Sequence, residues 1–202
     1  MTVYCATTNP GKLREFRRAA EQFALGRLDL LPLPGLEALP RCPETGRSFE
    51  ENAIQKALHY SSLVSGLILA DDSGLVVPAL DGRPGVLSAR FAGPNATDED
   101  NNRLLLEQLS GVSDRAASFV CVVALAKAGR LIGTFDGEVS GVIAHEPRGA
   151  NGFGYDPLFV YPPLGATFAE LAPEQKLAVS HRGAAARKAI AFLLAEEFRL
   201  TG

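Results

Sequence analysis

Residues 67–74 have the sequence LILADDSG. The apolar residues 67–70 predict a buried strand, and Asp71, Asp72, Ser73 and Gly74 are expected to leave that strand. Because adjacent side chains of an extended chain point to opposite faces, only one of the two carboxylates need enter a cleft. Open α/β sheets place ligand sites at strand ends, and Mg²⁺ prefers one or two carboxylates together with substrate phosphates. Taken alone, the segment is explained slightly better as a polar turn after a strand.

The composition is typical of a soluble globular protein, since 47% of the 202 residues are hydrophobic and 21% are charged. A formal net charge of −3 disfavours nucleic acid as a partner, because nucleic-acid binding usually needs a basic face. The longest apolar run, residues 120–126, is too short to span a bilayer, so no membrane partner is expected. Without an internal repeat or a flexible linker, residues 1–202 are expected to form a single domain.

The three cysteines, Cys5, Cys42 and Cys121, are scattered along the chain. Their odd number and the lack of a C-x-x-C spacing argue against a disulfide framework and against a zinc site. They are expected to be reduced thiols in a cytoplasmic protein. The N-terminus lacks a basic region followed by an apolar one, so no signal peptide is predicted.

The segment Thr8-Asn9-Pro10-Gly11-Lys12 lies between a predicted first strand and a helix expected over residues 13–25. Asn9 is a good N-cap residue, and proline suits the first helical position. A strand that runs into a helix N-terminus can bind an anion through free N–H groups and the helix dipole, and Lys12 adds a full positive charge. The segment is not a Walker A loop. An ordinary turn with a solvated lysine explains it equally well.

A second helix is predicted from Ser48, which forms a capping box with Glu51. Asn52 and Lys56 are four residues apart and therefore share one face of this helix. On spacing alone, a pair of solvated polar residues is the preferred interpretation.

The C-terminal half contains three further signals. Residues 116–125 and 131–142 are expected to pair as a hairpin. In residues 149–157, glycines flank Phe153, which either allows close approach of a flat ligand or simply serves turns. A last helix is predicted from Ser180, with His181 and Arg182 in its first turn, where basic residues oppose the helix dipole. Either an electron-rich ligand lies nearby or the pair is surface decoration.

Together these segments supply the parts of a nucleotide site. Lys12 and Lys176 can neutralise phosphates, acidic groups can hold a cation, and an aromatic loop can stack on a base. His181 and Arg182 can donate hydrogen bonds to exocyclic oxygens. This inventory favours a metal-dependent enzyme that acts on a nucleoside polyphosphate.

The chain resembles the Ham1-type non-canonical purine nucleoside triphosphate pyrophosphatases. Five segments, in the order found in that family and spanning nearly the whole chain, carry the resemblance: ATTNPGK at 6–12, SFEENA at 48–53, ADDSG at 70–74, GFGYDP at 152–157 and SHR at 180–182. Thr8 departs from the pattern, because the family usually has glycine before the asparagine.

The resemblance implies an elongated, two-lobed α/β fold in which helices flank a long curved mixed β-sheet, and usually a homodimer. It implies Mg²⁺-dependent hydrolysis of the purine nucleoside triphosphates ITP, dITP and XTP to the monophosphate and pyrophosphate. The pattern would exclude adenine because a donor such as Arg182 pairs with the six-oxygen and leaves the six-amine of adenine poorly matched.

The resemblance also implies roles for individual residues. Asp72 corresponds to the general base and a metal ligand, and Glu44 matches a second metal position. Asn52 and Lys56 support the phosphates or the metal. The matched substrate-binding positions are Thr7, Thr8, Asn9, Pro10, Gly11, Lys12, Ser73, Phe153, Gly154, Tyr155, Asp156, Lys176, His181 and Arg182.

Two other functions compete with this interpretation. A Maf-like pyrophosphatase would act on modified pyrimidine nucleotides, but the His181–Arg182 pair and the loop around Phe153 favour a purine. A nucleotide-binding module without catalysis is disfavoured by Lys12 and by the pair Asp71–Asp72. No G-x-S-x-G elbow is present, which argues against a serine hydrolase.

Overall fold

The computed structural model describes the backbone of residues 1–201 and the side chains of residues 1–196. Its elements alternate between strands and helices, with short 3₁₀ turns in the connections. The strands and helices are β1 (Thr2–Cys5), α1 (Pro10–Ala24), β2 (Asp29–Pro32), α2 (Phe49–Leu63), β3 (Leu67–Val76), α3 (Asp98–Gln108), β4 (Ala116–Lys127), β5 (Arg130–Ile143), β6 (Phe159–Tyr161), β7 (Ala166–Thr167), α4 (Pro173–Val179) and α5 (His181–Thr201).

The seven strands form a mixed sheet in the order β2-β1-β3-β4-β5-β6-β7. Strand β1 pairs in parallel with β2 on one side and with β3 on the other, as expected when helices connect successive strands. Strand β6 pairs antiparallel with β5 and with β7. The predicted α/β class with helices flanking a mixed sheet is therefore confirmed.

The hairpin between β4 and β5 follows from two residues. Ala128 and Gly129 connect the strands with φ angles of 51° and 71°, and two consecutive positive φ values define a type I′ turn. The twist of that turn matches the twist of paired strands. The predicted hairpin is confirmed, with β4 and β5 slightly longer than the sequence indicated.

Local capping explains where three helices begin. The Asn9 side chain accepts hydrogen bonds from the backbone N–H groups of Gly11 and Lys12, and Pro10 starts α1. Thr97 and Asp100 form a complete capping box at α3.

Helix α2 begins with a variant of the predicted box. The Ser48 hydroxyl accepts from the Glu51 N–H, but the Glu51 carboxylate accepts from the N–H of Arg47, one residue upstream of the position that a capping box uses. Helix α1 begins at Pro10, as the predicted cap at Asn9 requires, three residues before the helical pattern that was expected from residue 13.

The chain divides into two compact units. The first unit contains residues 1–72 and 121–137 and the C-terminal segment from His181; the second unit contains residues 73–120 and 138–180. A buried cluster in the first unit packs α2 against β1, β3 and β4 through Ala53, Ala57, Ile68 and Ala124. Each unit therefore has an apolar core of its own.

The second unit is organised around aromatic residues. Phe119, Phe159 and Phe168 pack together with ring centroids 4.6 to 5.9 Å apart, next to Leu75 and Leu105. The expectation of a single domain over residues 1–202 stays a prediction. Among the described residues, no helix combines the length and the apolar character that a membrane span requires.

One local expectation was wrong, and one helix was missed. Asp71, Asp72, Ser73 and Gly74 do not leave a strand, because β3 continues through them to Val76. Helix α4, residues Pro173–Val179, was not expected at all. The carboxylates therefore project from the middle of a strand, and alternation along β3 decides what each of them meets.

At Gly137, β5 packs so closely against the start of α5 that there is no room for a side chain. A methyl group there would lie 2.1 Å from the backbone oxygen of His181, which cannot move without disturbing the start of α5. Gly137→Ala should lower the free energy of unfolding by about 3 kcal/mol, measured by urea denaturation.

Gly133→Ala on the same strand is the matched control. Its new methyl group would meet the ring of Phe135 at 3.3 Å, and a side chain can shift. Similar losses in the two variants would contradict the packing argument.

Candidate active site

The loop after β1 lies where the strand order changes direction. Helix α1 leads from β1 to β2 on one side, and the chain then returns to β3 on the other side of β1. In open α/β sheets, the crevice beyond the carboxyl end of such a strand is the usual ligand site. Lys12, in the first turn of α1, reaches across it, and its Nζ lies 2.9 Å from Oδ2 of Asp71 in β3.

Backbone N–H groups at and just before the start of α1 donate hydrogen bonds to side chains of the preceding loop. The Asn9 Oδ1 atom accepts from the N–H groups of Gly11 and Lys12 at 2.8 and 3.1 Å. The Thr7 hydroxyl accepts from the N–H of Asn9 at 3.2 Å. The predicted N-cap role of Asn9 is therefore confirmed, and anion binding by this helix N-terminus and by Lys12 stays a prediction.

A cavity of about 350 Å³ opens beside this loop in the first unit. It is lined by the segment that follows β1 and by the segment that ends β2 and continues beyond it. The lining residues are Thr7, Thr8, Asn9, Pro10, Leu13, Pro32, Leu33, Gly35, Leu36 and Glu37.

Asp71 is a buried carboxylate held between two cationic side chains. Besides Lys12, the Nε of Arg182 lies 4.0 Å from its Oδ2, and the Asp71 side chain is 1% exposed. Burial raises the pKa of Asp71, but the positive charges of Lys12, Arg182 and Lys56 lower it by more than burial raises it. The pKa of Asp71 therefore lies below its ordinary value. Asp71 is therefore ionised and charge-compensated.

Asp72 points to the opposite face, toward α2. Its Oδ2 accepts from Nδ2 of Asn52 at 3.0 Å, and its Oδ1 accepts from Nζ of Lys56 at 3.3 Å. The N–H of Gly46 donates to Oδ1 of Asn52 at 2.8 Å, which turns the amide nitrogen toward Asp72. Burial raises the pKa of Asp72 above its ordinary value, although Lys56, Lys12 and Asn52 act in the other direction.

Lys56 joins the two carboxylates for which a metal role was predicted. Its Nζ lies 3.3 Å from Oδ1 of Asp72 and 3.6 Å from Oε1 of Glu44. Burial lowers the pKa of Lys56, but Asp72, Asp71 and Glu44 raise it more, so it stays protonated. Contrary to the preferred interpretation, Asn52 and Lys56 are buried rather than solvated.

Arg182 and His181 begin α5 and are both buried. The Nη1 of Arg182 donates to Oε2 of Glu15 at 2.5 Å. Burial lowers the pKa of Arg182, while Glu15 and Asp71 are among the groups that raise it, and the net direction is upward. The pair is therefore not surface decoration, since its arginine belongs to the ion-pair network around Asp71.

In the second unit, the glycine loop is built around Asp156. Its Oδ2 accepts from Nζ of Lys176 at 2.5 Å and from the N–H of Phe153 at 2.9 Å, and its side chain is 3% exposed. Nζ of Lys176 also lies 5.0 Å from the centroid of the Phe153 ring. Gly152, with a φ of +78°, is required here, because a methyl group would lie 2.0 Å from the Asp156 carboxylate.

Tyr155 turns inward and ties the loop to the 3₁₀ turn over Gly85–Arg90. Its hydroxyl donates to the backbone oxygen of Ser88 at 2.9 Å, and the Ser88 hydroxyl accepts from the N–H of Leu75. Ser73 lies two residues before Leu75 in β3 and is half-buried. The side chains of Tyr155 and Asp156 thus hold the loop, while Phe153 and Gly154 are half-buried.

A model of the Ham1 family matches residues 3–192. The chain belongs to the Ham1 family. Relatives named dITP/XTP pyrophosphatase, from Exiguobacterium sp. and Acidobacterium capsulatum, are 49% and 50% identical to it. These matches cover 93% and 96% of this chain, and 94% and 98% of the relatives.

Solved Ham1 structures share the fold. The Ham1 protein of Coxiella burnetii matches with a TM-score of 0.85 and 41% identity, covering 96% of this chain and 99% of that one. The Staphylococcus aureus Ham1 protein matches with a TM-score of 0.84 and 40% identity, covering 97% and 100%.

The structure of this Ham1 family member groups the predicted residues within each unit. In the first unit, Lys12 and Arg182 lie beside Asp71. Asn52 and Lys56 bond to Asp72, and Glu44 pairs with Lys56. Within the second unit, Phe153, Asp156 and Lys176 gather around one carboxylate.

Sequence reasoning missed Glu15 and gave Asp71 no distinct role. Glu15 lies three residues after Lys12 on α1 and so shares a face with it, which is a usable signal. The role of Asp71 depends on Arg182, a partner far away in the sequence.

Asp71→Asn should lower the free energy of unfolding by about 3 kcal/mol or more, because Lys12 and Arg182 would lose their buried counter-charge. Asp72→Asn, at the next residue, is the matched control. It should change stability by less than about 1 kcal/mol, because burial already disfavours the Asp72 charge and Lys56 keeps Glu44. Urea denaturation at neutral pH measures both, and equal losses would contradict the distinction.

Proposed function

We propose that this Ham1 family member hydrolyses the non-canonical purine nucleoside triphosphates dITP, XTP and ITP to the monophosphate and pyrophosphate. The activity named for its relatives supports this proposal. The placement of Asp72 also supports it. Asp72 is a buried carboxylate with a raised pKa, and it is adjacent in sequence to Asp71, which pairs with Lys12. That placement of Asp72 is the observation that carries the mechanism.

Asp72 is the proposed general base that takes a proton from the attacking water. A general base works best when its pKa moves toward the working pH, and burial moves the pKa of Asp72 in that direction. Asn52 and Lys56 hold both of its oxygens in place. Help of this kind contributes roughly 10²–10⁴-fold in rate.

Lys12 and Lys56 are the proposed phosphate-binding cations. Lys12 follows the loop after β1, and its side chain is 17% exposed while its ammonium stays paired with Asp71. Thr7, Thr8, Asn9, Pro10 and Gly11 form the loop that would contact the triphosphate.

Asp72 and Glu44 would hold Mg²⁺. Both carboxylates already stabilise a positive charge, because each lies within 3.6 Å of the Lys56 ammonium. Among the described side chains, no cluster of three or more His, Cys, Asp or Glu forms a closed metal site. That fits Mg²⁺, which takes one or two protein carboxylates and completes its shell with water and substrate phosphates. When bound, the ion supplies positive charge to the phosphate oxygens.

The proposed base contacts come from the glycine loop and from α5. Phe153 offers a partly exposed aromatic ring for the purine. Ser73, Gly154, Tyr155, Asp156 and Lys176 are proposed to bind substrate directly or to shape its contacts, and His181 and Arg182 to recognise the six-oxygen.

The proposed assembly is a cytoplasmic homodimer with residues 1–202 as a single domain. The odd number and the scattered positions of the three cysteines support a reducing compartment. Light scattering on the purified protein tests the dimer.

Asp72→Asn should abolish pyrophosphate release from dITP and XTP, because an amide cannot accept the proton. Circular dichroism should show an unchanged fold. The assay compares dITP, XTP, dATP, dGTP and a methylated pyrimidine triphosphate, with and without Mg²⁺. Normal turnover by a folded variant would refute the base assignment, and a wild-type preference for the pyrimidine would refute the proposed function.

Lys12→Ala should raise the KM for dITP by about tenfold or more, while the Kd for deoxyinosine changes little, because the ammonium contacts phosphate rather than the base. Lys12→Arg keeps the charge and serves as the control. Steady-state kinetics and calorimetry give the two constants. Proportionate losses for dITP and deoxyinosine would count against the phosphate-binding role.

A further inference from the structure

Two side chains in the first turns of α3 bind the backbone of Gly154, the residue that follows Phe153. The Oδ2 of Asp98 accepts a hydrogen bond from the N–H of Gly154 at 2.6 Å. The Nδ2 of Asn102 donates to the carbonyl oxygen of the same glycine at 3.0 Å. Asp98 and Asn102 are four residues apart, so both side chains lie on one face of α3. One helix face therefore binds both polar groups of a single residue in the glycine loop.

The capping of α3 does not explain these two bonds. Thr97 and Asp100 already form a reciprocal capping box at the start of the helix. Asn102 is buried, and its Oδ1 has no hydrogen-bond partner among the described residues. A buried acceptor without a partner costs stability. The hydrogen bond from Nδ2 to Gly154 is therefore the interaction that offsets the cost of burying the Asn102 amide.

The bonds to Gly154 complete the fixation of Phe153. On the N-terminal side of Phe153, its own N–H donates to the Asp156 carboxylate at 2.9 Å. Asp98 binds the peptide N–H between Phe153 and Gly154, and Asn102 binds the carbonyl of the peptide after Gly154. These bonds fix the backbone on both sides of Phe153, and because the allowed rotamers depend on the backbone angles, they limit the orientations of its half-exposed ring.

We propose that Asp98 and Asn102 are positioning residues that pre-organise Phe153 for binding the purine ring of the substrate. The proposal rests on the proposed function, in which Phe153 contacts the base. Neither residue touches substrate in this role; both act through Gly154. A ring that is already oriented loses less conformational entropy on binding, which strengthens substrate affinity without altering the reaction.

Kinetics separate this role from a general structural one. Asp98→Ala and Asn102→Ala should each raise the KM for dITP roughly fivefold and leave kcat within about twofold, because they weaken ground-state and transition-state binding equally. The Ki of inorganic tripolyphosphate, which has no base, should not change. Asp98→Asn keeps an acceptor oxygen and should recover most of the affinity. Arg103→Ala, at an exposed position of the same helix, is the matched control and should match the wild type.

A double-mutant cycle tests whether the effect passes through Phe153. In a Phe153→Ala background, adding Asp98→Ala or Asn102→Ala should change KM by less than about twofold. Full fivefold effects in that background would overturn the proposal, as would an increase in the Ki of tripolyphosphate equal to the increase in KM.

A spectroscopic readout does not depend on turnover. The chain has no tryptophan, so Phe153→Trp introduces a single reporter into the loop. Adding Asp98→Ala to it should lower the fluorescence anisotropy of Trp at this position and weaken its quenching by dIMP in EDTA. Unchanged anisotropy and quenching would refute positioning even if the double variant unfolds at a lower temperature. Failure of the proposed function is distinguishable, because the wild type itself would then release no pyrophosphate from dITP.

Discussion

The carboxylate of Asp71, buried between Lys12 and Arg182, connects three parts of the first unit. Its strand lies beside β1, Lys12 starts α1, and Arg182 starts α5. An unpaired ion in this position would cost several kcal/mol, so the strand, the loop after β1 and the α5 N-terminus must come together with their charges matched. Glu15 extends the network by holding the far side of the Arg182 guanidinium. A stability requirement thereby fixes the position of the lysine that is proposed to bind phosphate.

Alternation along β3 gives two adjacent aspartates opposite properties. Asp71 faces two cations closely and its pKa falls, whereas Asp72 faces an amide and a single lysine that it shares with Glu44, and its pKa rises. One carboxylate is thus committed to structure and the other is kept more basic. Separation of this kind between neighbouring acids is a common way to assign one of them to proton transfer. It favours Asp72 over Asp71 on physical grounds, independently of the family resemblance.

Local chemistry made much of this fold predictable. Asn9 and Pro10 mark the start of α1, Thr97 marks α3, and the apolar runs on either side of Ala128 mark the hairpin. Features that depend on distant partners were not predictable in this way. Polar residues after an apolar run resemble a turn, and β3 continues through Asp71 and Asp72 because remote side chains satisfy both of them.

The candidate site shows the same division. The sequence signals at Lys12, Asp72 and Phe153 identified groups whose chemistry is visible from residue type alone. The burial of Asn52 and Lys56 was not visible, because a polar pair on one helix face has the same spacing whether it meets solvent or a carboxylate. Helix α4 is short, and it brings Lys176 to Asp156 through a contact that no local pattern encodes.

The charge balance of the first unit bears on how a triphosphate could be accepted there. The ion pairs around β3 join four carboxylates, those of Glu15, Glu44, Asp71 and Asp72, to three cations, those of Lys12, Lys56 and Arg182. Each of these cations is therefore already paired with a carboxylate before any substrate arrives. A triphosphate would add several negative charges, and in a partly buried site like charges repel strongly. This repulsion is the electrostatic reason for the proposed Mg²⁺, because a cation that enters with the substrate would offset the added negative charge. The carboxylates that share Lys56 are its proposed ligands.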